Sequence, residues 1–346
     1  MLWRLPVGLR PLVPSNCHSY STVATPTPLR ILFCGSDDFS IASLRALSRW
    51  KRDEPKRVKS IDVVHRPGKR TGRGLKIIKE VPIKRVALEE LQLNTHEIDT
   101  FTGWTPPNPF DIIIAVSFGL LVPPRLLNAA KFGGVNVHPS LLPDLSGPAP
   151  IHHTLLKHRT KTGVTVQTLH PKYFDRGRVL AQTPSPGIDV PERTTVSALT
   201  TILGDQGAEM LVNVLGNADG WSMSEDAGWY QGTSGPVEHA GKIDKTHTYV
   251  DFATATAGDI LIRHHVLGDL WCVPPQISGG ERIILNEIDS LDVADATDCK
   301  PGLFIPAGSN TVAIRTVDGK VLHVKSCTLP GGKKGGGNAR LVRLLA

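Results

Sequence analysis

Residues 29–50 read LRILFCGSDDFSIASLRALSRW. A mostly apolar run stops at Gly35-Ser36, and a helix-like IASLRALSRW follows. Strand, glycine turn and helix in that order open a βαβ unit. The pattern recurs downstream. VKSIDVVHRPG (58–68) reads as a second strand entering a Gly/Arg-rich loop. FDIIIAVSFG (110–119) is a continuous β-branched run, as in a parallel strand buried on both faces. VPPRLLNAA (122–130) starts another helix, and GGVNVHPS (133–140) is a further short strand. Such alternation predicts an α/β domain built on a doubly wound, mostly parallel sheet. Ligands of such sheets bind outside the carboxyl ends of the strands. Asn136 and His138 stand where the last of these strands runs out.

TGVTVQTLH (162–170) alternates as an edge or antiparallel strand does, and YFDRGRVLAQTPSPGI continues as a loop and another strand. TTVSALTTILGDQGAEMLVNVL (194–215) has helical apolar spacing, and it closes the first domain, expected over 30–215. Residues 216–238 are rich in Gly and Ser and read as a linker. From 239 to 346 short β-like runs alternate with turns, and Asp318-Gly319 fits a hairpin. This predicts a smaller C-terminal β-barrel of OB-like type. GGKKGGGNAR (331–340) reads as a basic loop.

Before the first acidic residue, Asp37, stand Arg4, Arg10 and Arg30 with several Ser and Thr. An Arg-bearing, acid-free leader of this kind, over residues 1–29, has the composition of a mitochondrial presequence. No apolar run approaches the roughly 20 residues that span a bilayer, so no membrane partner is expected. Five scattered cysteines form no CxxC pair, so neither a zinc ribbon nor a disulfide framework is supported. The net charge is +7, unevenly spread. Residues 51–85 hold thirteen Lys/Arg against four Asp/Glu, and from Lys320 onward there are six Lys/Arg and no acid. Two basic segments far apart suggest a polyanionic partner touching both domains, although a merely solvated basic face has the same composition.

The polar residues narrow the chemistry. Asn136 and His138, two apart on one strand, share a face. Asp175 sits in a Gly-containing turn between two strands. An amide can donate to an oxyanion, an imidazole can move protons near neutral pH, and a carboxylate can orient that imidazole. Together they suit acyl transfer, although Asn-x-His alone is commonly a structural pair. His152, His153, His158 and His170 lack metalloprotease spacing, so no metal is expected. GSDDF lacks the full dinucleotide fingerprint, and no GxSxG elbow occurs.

NVHPSLLPDLSGPAPI, with LRILFCGSDDFSIASLRAL, HRPGKRTGRGLK, IAVSFGLLVP, TGVTVQTLHPKYFDRGRVLAQ and VAIRTVDGKVLHV, resembles the folate-dependent formyltransferases, and among them the branch acting on methionyl-tRNA. The resemblance runs from about residue 29 to the C-terminus. It implies 10-formyltetrahydrofolate as co-substrate, initiator methionyl-tRNA as partner, a monomer and the mitochondrial matrix as location. It implies Asn136, His138 and Asp175 as the catalytic trio. It implies folate contacts at Ser140, Leu141, Leu142 and Pro143, with Ser117, Phe118, Gly119 and Leu120 as a pterin wall. It implies tRNA contacts at Arg66, Lys69, Arg70, Arg73 and Lys76 in the first domain, and the basic loop with Lys333 and Lys334 is a further candidate. Pro139, Asp144-Leu145-Ser146, Arg176 and Arg178 depart from the family's pattern. A formyltransferase for small amines and an RNA-binding homologue without catalysis are the alternatives.

Overall fold

The computed structural model describes residues 27–217, 226–230, 237–275, 277, 280–290 and 300–346. The expected presequence lies outside them, apart from its last three positions, as does much of the expected linker.

Strand β1 (Leu29–Gly35) is buried along nearly its whole length, as an apolar run between two other strands must be. Helix α1 (Asp38–Asp53) starts at Asp37, whose carboxylate accepts from the Ser40 N–H at 3.0 Å, satisfying one orphan donor of the first turn. Strand β2 (Val58–His65) pairs parallel to β1. The Gly/Arg-rich loop after it contains a short antiparallel hairpin, β3 (Lys69–Thr71) and β4 (Ile77–Lys79). Helix α2 (Pro82–Arg85) and strand β5 (Asn94–Glu97) follow. Then come β6 (Ile112–Val116), α3 (Pro124–Ala129) and β7 (Gly134–His138). After α4 (Pro150–Leu156) and β8 (Lys161–Thr162), β9 (Thr165–Thr168) and β10 (Val179–Gln182) finish the main sheet. β11 (Ile188–Asp189) pairs with β8, and α5 (Val196–Gly216) closes the unit.

The sheet order is β10-β9-β7-β6-β1-β2-β5. Strands β7, β6, β1, β2 and β5 run parallel, and β9 and β10 are antiparallel additions. One face carries α1 and α5 over a core of Phe33, Leu44, Ile112, Val137 and Leu203. The other buries Leu32, Ile113, Phe118 and Leu126 beneath α3. Gly207 lets α5 lie close, since a Cβ there would stand 2.8 Å from Val137 Cγ1. The doubly wound, mostly parallel sheet is thus as the alternation predicts, with β5 and the hairpin as strands the sequence reading lacked.

The C-terminal unit comprises α6 (Ala257–Leu267), β12 (Leu270–Cys272), β13 (Ile283–Ser290), β14 (Gly302–Phe304), β15 (Val312–Arg315) and β16 (Val321–Thr328). These strands form an antiparallel sheet in the order β12-β13-β16-β15-β14, with Asp318-Gly319 in the β15–β16 turn. Among the described residues β12 and β14 are not paired with each other. A last helix, α7 (Asn338–Leu345), corrects the reading of 331–340 as loop throughout. It begins at Asn338, whose Oδ1 accepts from the Cys327 N–H at 2.8 Å and whose Nδ2 donates to Val324 O at 2.9 Å, while Leu341 enters the core.

Described residues of the expected linker bond to the first unit. Trp229 Nε1 donates to Thr183 O at 2.6 Å, and the Tyr230 N–H to Gln182 Oε1 at 3.1 Å. Val266 of α6 belongs to the first unit's core. The described cysteines Cys34, Cys272 and Cys327 are buried and free. Burial pushes Cys272 up to about 12 and Cys327 up to about 11, so both stay thiols at neutral pH. No helix among the described residues is long and apolar enough to cross a membrane.

Candidate active site

Parallel pairing puts the carboxyl ends of β1, β2, β6 and β7 on one edge of the sheet, and a cleft of about 750 Å³ opens there. Asp37 borders it after β1, Ser117 to Leu120 after β6, and Asn136 and His138 at the end of β7. Gln167 and His170 enter from β9 and its end, and Tyr173 to Arg176 from the β9–β10 turn. Burial raises the Asp37 carboxyl above its ordinary range, opposed by its hydrogen bonds to Ser40 and Ser117.

The alternation of β7 delivers Asn136 and His138 to the same side. One Asn136 Nδ2 proton goes to Ala115 O at 2.9 Å, and Oδ1 accepts from Gln167 Nε2 at 3.2 Å. This fixes the amide's orientation and leaves its second N–H for a ligand oxygen. His138 is buried, with Nε2 3.1 Å from Leu145 O and Nδ1 3.4 Å from Asp175 Oδ1. Both ring nitrogens thus face acceptor oxygens.

Asp175 reaches His138 from a turn in which its own φ is +52°, a region Asp tolerates better than most residues. Its Oδ2 accepts from the Gly147 N–H at 2.8 Å, and its Oδ1 lies 3.5 Å from Gln167 Nε2. Gly177 closes the turn. Its N–H donates to Gln167 Oε1 at 3.1 Å, and a Cβ there would lie 1.6 Å from Thr168 O. Gln167 therefore ties Asn136, Asp175 and the turn together. Sequence reasoning missed it; the available signal was a Gln in the middle of the buried TVQT strand. Gln167→Leu, which keeps the bulk and removes the bonds, is expected to cut kcat about 10-fold and to lower stability by about 1–3 kcal/mol, since the Gly177 N–H and Asn136 Oδ1 lose their partner, read by steady-state kinetics and calorimetry.

The turn beside His138 is itself held from outside. Residues 237–240 run parallel to 144–149, bridging Ser146 and His239. The Leu145 N–H donates to Glu238 O at 2.8 Å, and Ala240 N–H to Ser146 O at 2.7 Å. Glu238 N–H donates to Asp144 Oδ1 at 2.9 Å, and the Glu238 carboxylate pairs with Lys157 and with Arg159.

The structure thus brings Asn136, His138, Asp175, Ser117, Phe118, Gly119 and Leu120 to one cleft, with Arg176 at its edge. It does not bring Ser140, Leu141, Leu142 and Pro143 there. After Pro139 the chain folds away. Ser140 Oγ donates to Asp144 O at 2.7 Å, Leu141 packs near Gly163 and Gly187, the Leu142 N–H meets Thr165 Oγ1 at 3.1 Å, and Pro143 is exposed elsewhere. In this structure these four residues hold the turn that follows His138.

The hairpin leaves the carboxyl end of β2, on the cleft's side of the sheet. Lys69, Arg70 and Lys76 are exposed, as are the aliphatic Leu75, Ile77 and Ile78 between them. Arg66 pairs with Asp99 at 2.7 Å. Arg73 lies in the short 3-10 turn Arg73–Leu75 between the two strands. In the C-terminal unit Lys334 pairs with Asp269 at 2.8 Å, and Lys333 borders a groove that also holds Glu287, so this patch carries acidic charge as well. No cluster of three or more His, Cys, Asp or Glu able to hold a metal occurs among the described residues.

The comparisons with known proteins agree with this geometry. Residues 29–215 match the formyl transferase family. A mitochondrial methionyl-tRNA formyltransferase of Mus musculus is 34% identical over 280 residues, covering 80% of this chain and 66% of that protein. The Saccharomyces cerevisiae mitochondrial methionyl-tRNA formyltransferase is 41% identical over 203 residues, covering 51% of this chain and 50% of that protein. The chain thus spans about two thirds of the mouse relative and half of the yeast one. In fold it is similar to a sugar 3N-formyl transferase crystallised in the presence of dTDP and 5-N-formyl-THF, at a TM-score of 0.51 and 13% identity, covering 88% of this chain and 99% of that one. Matched across its parallel sheet, its cleft and its Asp175 turn, this chain belongs to the formyl transferase family.

Proposed function

We propose that the protein transfers the formyl group of 10-formyltetrahydrofolate to the α-amine of initiator methionyl-tRNA in the mitochondrial matrix. The observation that carries this reading is the convergence of Asn136, His138 and Asp175 on one cleft at the carboxyl edge of a parallel sheet. Two mitochondrial relatives named for this reaction support the choice of substrate and compartment. The fit to a folate is chemical. The cleft pairs an apolar wall, Phe118, Leu120, Val122 and Ile151, with hydrogen-bonding groups at one end, as a flat conjugated ring with a polar reactive nitrogen requires.

When bound, the co-substrate supplies a formyl carbon attached to nitrogen. The methionyl amine, with a reference pKa of about 7.7–8.0 lowered by the neighbouring ester, attacks as a neutral nucleophile. The Asn136 amide donates its remaining N–H to the oxygen of the carbonyl under attack, and the His138 ring supplies a second donor once Nε2 turns from Leu145 O to that oxygen. Asp175 holds the ring and takes part in moving the amine's proton toward the departing folate nitrogen. The new C–N bond forms first, the oxyanion then re-forms the carbonyl as the bond to the folate nitrogen breaks, and one proton passes from amine to folate nitrogen.

The deciding experiment is formylation of methionyl-tRNA by the purified full chain, with and without 10-formyltetrahydrofolate. Formyl-methionine released from tRNA only in the complete reaction supports the reading, and its absence refutes it. The hairpin cations act on phosphates. Arg70→Ala with Lys76→Ala is expected to raise KM for tRNA and flatten the slope of log(kcat/KM) against log[salt] by about one unit per lost contact. An unchanged slope in a salt titration would remove the hairpin from the interface.

A further inference from the structure

The turn that presents Asp175 has a second feature that the catalytic reading does not use. Tyr173 is 62% exposed and Phe174 59%. Two adjacent aromatic rings open to water are a cost the chain bears without a partner of its own. They are ordered all the same. His170 Nδ1 accepts from both the Lys172 and the Tyr173 N–H at 3.1 Å, which fixes the backbone and places the ring's proton on Nε2. The imidazole lies over Tyr173 at 5.3 Å between centroids and 30° between planes. All three rings border the cleft that holds Asn136, His138 and Asp175. Lys172 and Arg176, both exposed, flank them.

Aromatic faces alternating with cations are the footprint of a single-stranded nucleic acid end, with bases stacked and phosphates neutralised. The substrate of the proposed reaction ends in such a strand. Its reacting amine and its terminal base hang from the same ribose, so an amine held at His138 brings that base to the adjoining rim. We propose that Tyr173 and Phe174, braced by His170, form a stacking platform for the terminal base of the tRNA acceptor strand, with Lys172 and Arg176 taking the phosphates next to it. This inference rests on the tRNA reading above and adds a binding role for residues outside the trio. Asp175, at the end of the same turn, is thereby positioned together with the base of the substrate it serves.

The test compares two small methionyl substrates, 2′(3′)-O-methionyl-adenosine and methionine methyl ester, alongside methionyl-tRNA, using the full chain. The wild-type protein is expected to prefer the adenosine ester. Tyr173→Ala and Phe174→Ala should each lower that preference about 10-fold and raise KM for methionyl-tRNA about 10-fold, the scale of one lost stacking partner. Tyr173→Phe, which keeps the ring, should restore most of both. An equal loss on both small substrates would mean that the rings only support the Asp175 turn, and would overturn the proposal. So would a rise in KM for 10-formyltetrahydrofolate in place of the tRNA effect, which would give the rings to the folate. A wild-type protein that formylates methionyl-tRNA without preferring the adenosine ester overturns this inference alone; one that formylates no methionyl substrate overturns the functional reading with it.

Discussion

Formylation by the His138→Ala variant is expected to be about 1,000-fold slower in kcat, with KM for methionyl-tRNA changed less than about threefold. Acid–base participation is typically worth about 100- to 10,000-fold, and the ring faces the Asp175 carboxylate and Leu145 O, where no water-bridged substitute has the same geometry. Asn136→Ala should lose about 100- to 1,000-fold, the scale of one oxyanion donor. Because His138 is buried, its loss also leaves a void, so the melting temperature of each variant should be measured beside the kinetics. Near-normal turnover in either folded variant would exclude it from the chemistry.

Gly177→Ala is expected to be as damaging without touching a reacting group. The added Cβ would lie 1.6 Å from Thr168 O, far inside any real contact, and the obstacle is backbone. The β9–β10 turn has to open. That withdraws the Gly177 N–H from Gln167 Oε1 and carries Asp175 away from His138. Activity should fall more than about 100-fold, and stability by about 2–4 kcal/mol, since backbone strain and lost buried hydrogen bonds add. A denaturant titration together with a formylation assay checks both. A stable, active Gly177→Ala protein would mean that the turn is not rigid.

The parallel core was legible because its signal is local. IIIAV is apolar throughout and LRILFCG apolar apart from Arg30, and strands covered on both faces read that way. The shared placement of Asn136 and His138 was legible for the same reason, through period-two alternation on a strand whose direction was known. Asp175 was not, because nothing in spacing brings a turn 37 residues downstream back to β7; the resemblance supplied it and the antiparallel β7–β9 pairing explains it. The path of Ser140 to Pro143 was not legible, because nothing in their spacing shows that Pro139 starts a turn closed by the Ser140 hydroxyl on Asp144 O. β5 is a short polar edge strand, and the three-residue strands of the β3–β4 hairpin are too short to show a period. Helix α7 was hidden behind a glycine run, and its anchor is the side chain of one residue, Asn338.

Leu145 is shared property. Its carbonyl faces His138, and its amide belongs to Glu238, a residue beyond the stretch matched to the family. Excising residues 29–217 would keep the whole parallel sheet and every catalytic candidate, yet leave that peptide without its outer anchor. The half that carries the cleft is therefore not a transplantable module. The segment leading into the C-terminal half thus sits one peptide away from the imidazole.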